Sequence, residues 1–442
     1  MIKHIALISE HASPLAAAGG VDSGGQNVYV AHTARHLAAL GYNVDVFTRR
    51  DDESLDEVVR LGPRVRVVHV PAGPARRLPK EELLPYMNEF AAYVVEFARR
   101  RQAVGAAYDM VHAHFFLSGL VAVRMKRDLG VPIVVTFHAL GRVRLRHQPD
   151  DRFPIERLGI EQLVIDAADA VIAECPQDRE DLITLYKAPP SRITTIPCGF
   201  DPQELWPVDK RTARERLGLG ADEKVILQLG RMVPRKGVDT VIHALARLRD
   251  EHGVNARLLI VGGETDAPDP QATPELGRLM QFAEECGVRD AVTFAGRKDR
   301  AELKYYYSAA DVFVTVPWYE PFGITPVEAM ACGTPVIGAR VGGVKYTVLD
   351  GRTGFLVEPR DPRALARRLA HFYSEPSIAS LLSRHARRRA NDLFTWRRVS
   401  IAIAALYEQV AVKRASVRRP AAGGARLAPV ASISAPLQQP RA

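Results

Sequence analysis

The chain has 442 residues, a length that suits two or three domains. Its charged fraction of 25% and hydrophobic fraction of 47% are ordinary for a globular protein. No apolar run approaches the ~18 residues of a membrane-crossing helix, which excludes that class.

The opening Met1–Ile8 is basic, briefly apolar and then polar at Ser9-Glu10-His11, so it reads as a first strand rather than a secretory leader. Four cysteines, Cys175, Cys198, Cys286 and Cys332, stand far apart with no CxxC pair. That spacing argues against a zinc cluster or a disulfide framework and points to a cytoplasmic protein with reduced thiols. The net charge of +9 raises the question of nucleic acid. Lys413, Arg414, Arg418, Arg419, Arg426 and Arg441 all fall near the C-terminus, however, and the interior lacks the basic–aromatic platform of single-strand binders. Residues 415–442, rich in Ala, Pro and Arg, read as a disordered solvated tail, with a weak contact to an anionic surface as the alternative. No nucleic-acid partner is expected.

Strand-length apolar runs alternate with helical patterns from end to end. The first half predicts strands at Ile5–Ser9, Val44–Thr48, Val65–Val70, Met110–Ala113, Ile133–Phe137, Ala170–Ala173 and Ile193–Ile196. Helices are expected between them at Asn27–Leu40, Glu81–Arg100, Ser118–Leu129 and Ile155–Ala167. The pattern restarts after Cys198-Gly199-Phe200-Asp201-Pro202. Strands are then expected at Val225–Leu229, Leu258–Val261, Val292–Ala295, Val312–Thr315, Val336–Ile337 and Phe355–Val357, with helices between them. Helices at about Ile378–Ala390 and Trp396–Val412 close the ordered part. Such alternation is the signature of α/β structure with parallel sheets. The expected division is a first Rossmann-like domain over residues 1–200, completed by a helix at about 395–412, and a second over 201–394. Ligands would then bind at the carboxyl ends of the strands, in the shared cleft.

Four strings carry chemistry. Gly19-Gly20-Val21-Asp22-Ser23-Gly24-Gly25-Gln26-Asn27 follows the first strand and opens a helix. Its glycines let the backbone approach a phosphate, yet it matches neither GxGxxG nor a Walker loop. Gly230-Arg231-Met232-Val233-Pro234-Arg235-Lys236-Gly237 follows the first strand of the second half, where Arg231 and Lys236 are fitted to phosphate oxygens. Thr136-Phe137-His138-Ala139-Leu140-Gly141-Arg142 ends a strand, which turns His138 from a structural residue into a site candidate. In Glu320-Pro321-Phe322-Gly323-Ile324-Thr325-Pro326-Val327-Glu328, the loop at Phe322-Gly323-Ile324 presents free N–H groups at a helix start. The two carboxylates suit the hydroxyls of a sugar or a ribose.

Glu320 and Glu328, seven residues between them and Pro-Phe-Gly after the first, resemble the donor-sugar motif of retaining GT-B glycosyltransferases of family 4. The Gly24-Gly25 loop and the His138-Ala139-Leu140-Gly141-Arg142 string are similar to those of sucrose-phosphate synthases and of the inositol-phosphate glycosyltransferases of mycothiol biosynthesis. The resemblance implies two doubly wound Rossmann-like domains facing a central cleft. It further implies that a hexosyl group moves from a nucleoside-diphosphate sugar, a UDP-sugar by expectation, to an acceptor hydroxyl. Arg231 and Lys236 would stabilise the departing diphosphate, Glu328 would hold the ribose, and Glu320 with the Phe322-Gly323-Ile324 backbone would hold the sugar. Gly24, Gly25 and His138 would complete the site. His11, Gln26, Asn27, Lys80 and Arg157 would meet the acceptor, with Lys80 and Arg157 pairing with a phosphate monoester. The mycothiol enzymes carry Tyr where this chain has Phe115 and Thr where it has Ala139. Both changes remove a hydroxyl and turn the expectation toward a sugar phosphate, with inositol phosphate or a lipid-linked sugar as alternatives.

No tightly bound cofactor and no Mg2+ requirement are expected, since no DxD motif is present. His32 and His36 read as surface residues without carboxylate companions, and His112 and His114 as strand-end residues without a ligand role. A dinucleotide oxidoreductase is the rival from another class; it would require a GxGxxG string that the chain lacks.

Overall fold

A computed structural model describes residues 2–16, 24–150 and 152–418. Among the described residues, fourteen strands fall into two sheets. The first comprises β1 (His4–Ile8), β2 (Asn43–Arg49), β3 (Val58–Gly62), β4 (Val65–Val70), β5 (Met110–His114), β6 (Ile133–Thr136), β7 (Ala170–Ala173) and β8 (Ile193–Thr195). Their spatial order is β3-β4-β2-β1-β5-β6-β7-β8, parallel except for the β3–β4 pair. The second comprises β9 (Val225–Leu229), β10 (Arg257–Val261), β11 (Val292–Phe294), β12 (Val312–Thr315), β13 (Val336–Ala339) and β14 (Gly354–Val357). All of its pairs are parallel, in the order β11-β10-β9-β12-β13-β14. Strands such as Val225–Leu229 and Val312–Thr315 are buried along their whole length. Helices cover both faces of such sheets, so the strands carry continuous apolar runs.

Each sheet reverses its winding beside its first strand, at β1 between β2 and β5 and at β9 between β10 and β12. A crevice opens at such a switch point beyond the carboxyl ends of the strands. The loops that carry His11 and Gly24, and the loop that carries Arg231, leave β1 and β9 there.

The chain crosses between the sheets twice, side by side. Phe200 donates its N–H to Phe394 O at 2.8 Å, and Trp396 N–H to Phe200 O at 3.0 Å. Trp396, fully buried, opens the helix Trp396–Arg418, which returns to the first sheet and packs on the helix Gly25–Ala39. His32 stacks flat on Trp396 with centroids 5.4 Å apart. Tyr407 pairs with His112 Nδ1 at 2.7 Å.

The structure departs from the expected elements in identifiable places. The helix expected at Glu81–Arg100 begins at Met87, after single turns at Lys80–Glu82 and Leu84–Tyr86. Pro85 has no N–H to extend the ladder there. The edge strand β3 and the helices Gly141–His147, Pro176–Tyr186 and Lys210–Leu217 had no apolar run to announce them. Two of these helices start on side-chain caps, with Cys175 Sγ accepting from Asp178 N–H and an Asp209 carboxylate oxygen accepting from Thr212 N–H. The last helix runs to Arg418, so residues 415–418, expected as tail, are helical. Gly19–Ser23 of the glycine-rich loop and residues 419–442 of the tail lie outside the described residues.

Candidate active site

A cleft of about 560 Å³ lies between the two sheets. The second domain supplies its cationic wall. Lys236 closes a short turn after β9, and its Nζ lies 2.5 Å from Glu320 Oε2, with Arg235 Nη1 3.6 Å from the same oxygen. Burial pushes the Lys236 ammonium down to about 8, although Glu320 pulls it the other way. Burial alone would raise the Glu320 carboxyl, but Lys236 and Arg235 outweigh it and hold the group at about 2. The pair is therefore charged at neutral pH, with a cation that can be discharged by moderate base.

The loop Glu320–Gly323 is held from below by glycines. Gly343 donates its N–H to Glu320 O at 2.9 Å. A Cβ on Gly342 would stand 2.0 Å from Glu320 O, and one on Gly343 2.3 Å from Phe322 Cα. Any side chain there would displace the loop. Gly323 sits at φ 88°, the left-handed region, and starts the helix Ile324–Ala331. Phe322 is buried against Phe394, leaving the backbone of the loop on the cleft. Glu328, one turn inside the helix, is 2% exposed with both oxygens engaged. Arg300 Nη1 donates to Oε1 at 3.0 Å, and the Tyr307 hydroxyl to Oε2 at 2.9 Å.

The first domain supplies the opposite wall. Gly24 and Gly25 begin the helix Gly25–Ala39 and touch the other side of the cleft. A Cβ on Gly24 would meet the Arg231 side chain at 3.5 Å, and one on Gly25 would meet Ile324 Cδ1 at 3.3 Å. Asn27 caps this start, with Oδ1 accepting from Gly24 N–H at 3.0 Å and Nδ2 donating to Ser13 O. Gln26 Nε2 donates to Ser9 Oγ and His114 O, each at 3.2 Å. His11 Nδ1 lies 2.6 Å from Glu10 Oε1, its ring edge-on to Phe115. His138 and Phe115 follow strand ends and hold φ of 58° and 85°, unusual for residues with a Cβ. Such backbone strain gathers at functional sites and is invisible in a sequence.

His138 lines the cleft, but its ring is already engaged: Nδ1 lies 2.7 Å from Glu174 Oε1, and Nε2 lies 3.1 Å from His114 Nδ1. Lys80 lines the cleft 3.5 Å from Glu81 Oε1.

Arg157 is placed elsewhere. It is 2% exposed, outside the cleft lining, and sealed among Phe115, Phe116 and Phe153 at 4.5–5.0 Å. Its Nε donates to Glu161 Oε1 at 2.7 Å and its Nη2 to Ala139 O at 2.6 Å. The expectation that Arg157 pairs with an acceptor phosphate meets a side chain that is buried and already engaged by Glu161 and Ala139. Arg144 and Arg152, which the sequence reading passed over, line the cleft together with Lys80. The signal for Arg144 was the basic string at Arg142–Arg146; Arg152 stands outside it.

His32 is the second correction. It is 3% exposed, not a surface residue, and the chain crossing brings it two carboxylates. His32 Nδ1 lies 3.7 Å from Asp201 Oδ2, and Nε2 lies 3.4 Å from Glu204 Oε2. These three residues bring their ligand atoms within 4.8 Å of one another. Glu204 Oε2 also accepts from Arg300 Nε at 2.8 Å, so that carboxylate already has a cationic partner. Burial alone would raise the Glu204 carboxyl, but His32 and Arg300 hold it at about 2.

Two parallel sheets facing a cleft, cations and carboxylates on one wall and a glycine-rich helix start on the other, are the architecture of GT-B glycosyltransferases. The family described as Glycosyl transferases group 1 matches residues 209–389, and Glycosyltransferase Family 4 matches residues 23–204. The chain is 37% identical over 412 residues to D-inositol 3-phosphate glycosyltransferase 2 of Catenulispora acidiphila, covering 92% of this chain and 95% of that one. It is equally identical, with the same coverage, to the D-inositol 3-phosphate glycosyltransferase of Corynebacterium efficiens. Among solved structures, sucrose-phosphate synthase from Thermosynechococcus elongatus superposes with a TM-score of 0.84 at 35% identity, covering 93% of this chain and all of that one (100%). HepE of Anabaena, solved with UDP and glucose, shares the fold at a TM-score of 0.70 and 21% identity, covering 92% of this chain and 100% of that one. The chain belongs to the family 4 glycosyltransferases and is a transferase enzyme. Among the described residues no helix is long and apolar enough to cross a membrane.

Proposed function

We propose that the protein transfers a hexosyl group, with retention of configuration, from a nucleoside-diphosphate sugar to a hydroxyl of a small phosphorylated polyol or sugar. The observation that carries this reading is the facing of Arg231 and the Lys236–Glu320 pair by Gly24, Gly25 and Lys80 across one cleft. Negative charge grows on the leaving diphosphate as the sugar C–O bond breaks. Arg231, Lys236 and the start of the helix Gly25–Ala39 are fixed there in advance, where they count most in the transition state. Glu320 holds sugar hydroxyls together with the Phe322-Gly323-Ile324 backbone, and Glu328 holds the ribose. His138 meets the sugar by exchanging its contact to His114. The acceptor oxygen attacks the face the diphosphate leaves, its proton passes to a leaving phosphate oxygen, and the nucleoside diphosphate departs. Closure of the cleft excludes water that would otherwise hydrolyse the donor.

Lys80, Arg144 and Arg152 favour an acceptor with a phosphate monoester. The relatives named for D-inositol 3-phosphate and the similarity to sucrose-phosphate synthase support that chemistry. Phe115 and Ala139 leave fewer hydrogen bonds for a polyol ring.

The test is nucleoside-diphosphate release from UDP-, ADP- and GDP-sugars, with and without fructose 6-phosphate, inositol phosphate and unphosphorylated sugars. Release that requires one donor and one phosphorylated acceptor is the expected result. Release with unphosphorylated acceptors alone would discard the phosphate pocket.

A further inference from the structure

Glu328 is held by one helix, and that helix reaches the joint between the domains. Arg300 and Tyr307 lie seven residues apart on the helix Arg300–Ala309, two turns along one face, and each engages one oxygen of Glu328. A carboxylate oxygen has two lone pairs, so each keeps one for a ligand hydroxyl. Tyr307 is fully buried and its own O accepts from Thr334 Oγ1 at 2.6 Å, so that grip is fixed within the second domain. Arg300 differs. Its guanidinium fork turns one edge to Glu328 Oε1 and another to Glu204 Oε2, a residue of the chain crossing, 3.0 and 2.8 Å away. The fork is planar and rigid, so fixing one edge aims the other. Glu204 in turn meets His32 Nε2 at 3.4 Å, on the helix whose start lies across the cleft.

We propose that Arg300 is a positioning residue for Glu328, aimed by Glu204, and that this pair sets how strongly the site reads the nucleotide ribose. The proposal rests on Glu328 as the ribose ligand. Without Glu204 the guanidinium swings, Glu328 Oε1 loses its fixed direction, and the hydroxyl contacts weaken while the diphosphate contacts at Arg231 and Lys236 stay. A lysine at position 300 keeps the charge but cannot serve both carboxylates in one plane.

The experiment is calorimetric titration of the full-length protein with UDP, ADP and GDP, and then with the 2′,3′-dideoxy counterpart of the one that binds. The unaltered protein is expected to prefer the ribonucleotide by about 10-fold or more, the worth of one or two hydrogen bonds to a charged group. Glu328→Gln should remove most of that preference. Glu204→Gln and Arg300→Lys should each reduce it toward one while leaving dideoxynucleotide affinity unchanged. A purely structural role would weaken both nucleotides alike and lower the melting temperature. Full preference in both Glu204→Gln and Arg300→Lys, with Glu328→Gln having lost it, would overturn the proposal. Full preference in Glu328→Gln would overturn the ribose reading itself, and the positioning role with it.

Discussion

The two walls of the cleft are built on different physical plans. The wall of the second domain is a set of closed ion pairs: Lys236 with Glu320, and Arg300 between Glu204 and Glu328. The partners in these pairs lie within about 3 Å of one another, so this part of the wall is preorganised before any ligand arrives. The wall of the first domain is aromatic and histidine-rich, with His11 on Phe115 and His138 on His114, and carries its cations at the rim in Lys80, Arg144 and Arg152. On the proposed function, one wall serves the diphosphate and the other the acceptor. Rigid chemistry and adjustable specificity have been given to separate sheets.

Breaking the first wall should have the largest effect. Lys236→Ala removes a cation from the leaving group and strands Glu320, and turnover should fall by about 10²–10³-fold, measured as nucleoside-diphosphate release. Near-normal turnover would remove Lys236 from the diphosphate site. Arg157→Ala sharpens the contrast from the other side. It leaves Glu161 buried without its partner, which should cost about 3–5 kcal/mol of stability. A lowered urea midpoint with acceptor KM little changed in the folded fraction is the expected pattern; the opposite pattern would restore Arg157 to the acceptor site.

Gly343→Ala forces a methyl against Phe322 Cα and should cost about 1–3 kcal/mol, with donor KM raised and acceptor KM unmoved. Equal effects on both substrates would mean the loop serves both walls. The pH profile gives a gentler test. Lys236 is charged below about 8 and loses its proton above it, so kcat/KM for the donor should decline as pH rises through about 8. A profile flat to pH 9.5 would place the ammonium at its ordinary value. The smallest effect belongs to the rim. Lys80→Ala should raise KM about 10-fold for a phosphorylated acceptor, the worth of one charge-assisted contact, and leave donor KM alone.

The wall of the second domain was the more legible of the two in the sequence. Arg231 with Lys236, and Glu320 with Glu328, stand within single short strings that follow strands, so position and chemistry arrive together. His11, Lys80, Phe115, and His138 with Arg144 come from four separated segments, and nothing local shows which will share a surface. Arg157 shows the cost of this. Its sequence neighbours suggest a solvated helix charge or a ligand, and only the meeting of Phe115, Phe116 and Phe153 around it makes it part of the wall. His32 was misjudged for the same reason: Asp201 and Glu204 reach it from 169 and 172 positions away.

By itself, then, the sequence determined two successive strand–helix alternations, the break near Phe200, and the strings that present cations suited to phosphate and carboxylates suited to hydroxyls. These rest on periodicity and on chemistry within a few residues, which are short-range properties. The tertiary structure alone decided that Arg300 joins Glu204 to Glu328, that Gly342 and Gly343 lie under the Glu320–Phe322 loop, and that Arg157 is buried among Phe115, Phe116 and Phe153. Burial and ion pairing depend on which surfaces meet when two sheets fold against a shared crossing, and no local pattern records that meeting.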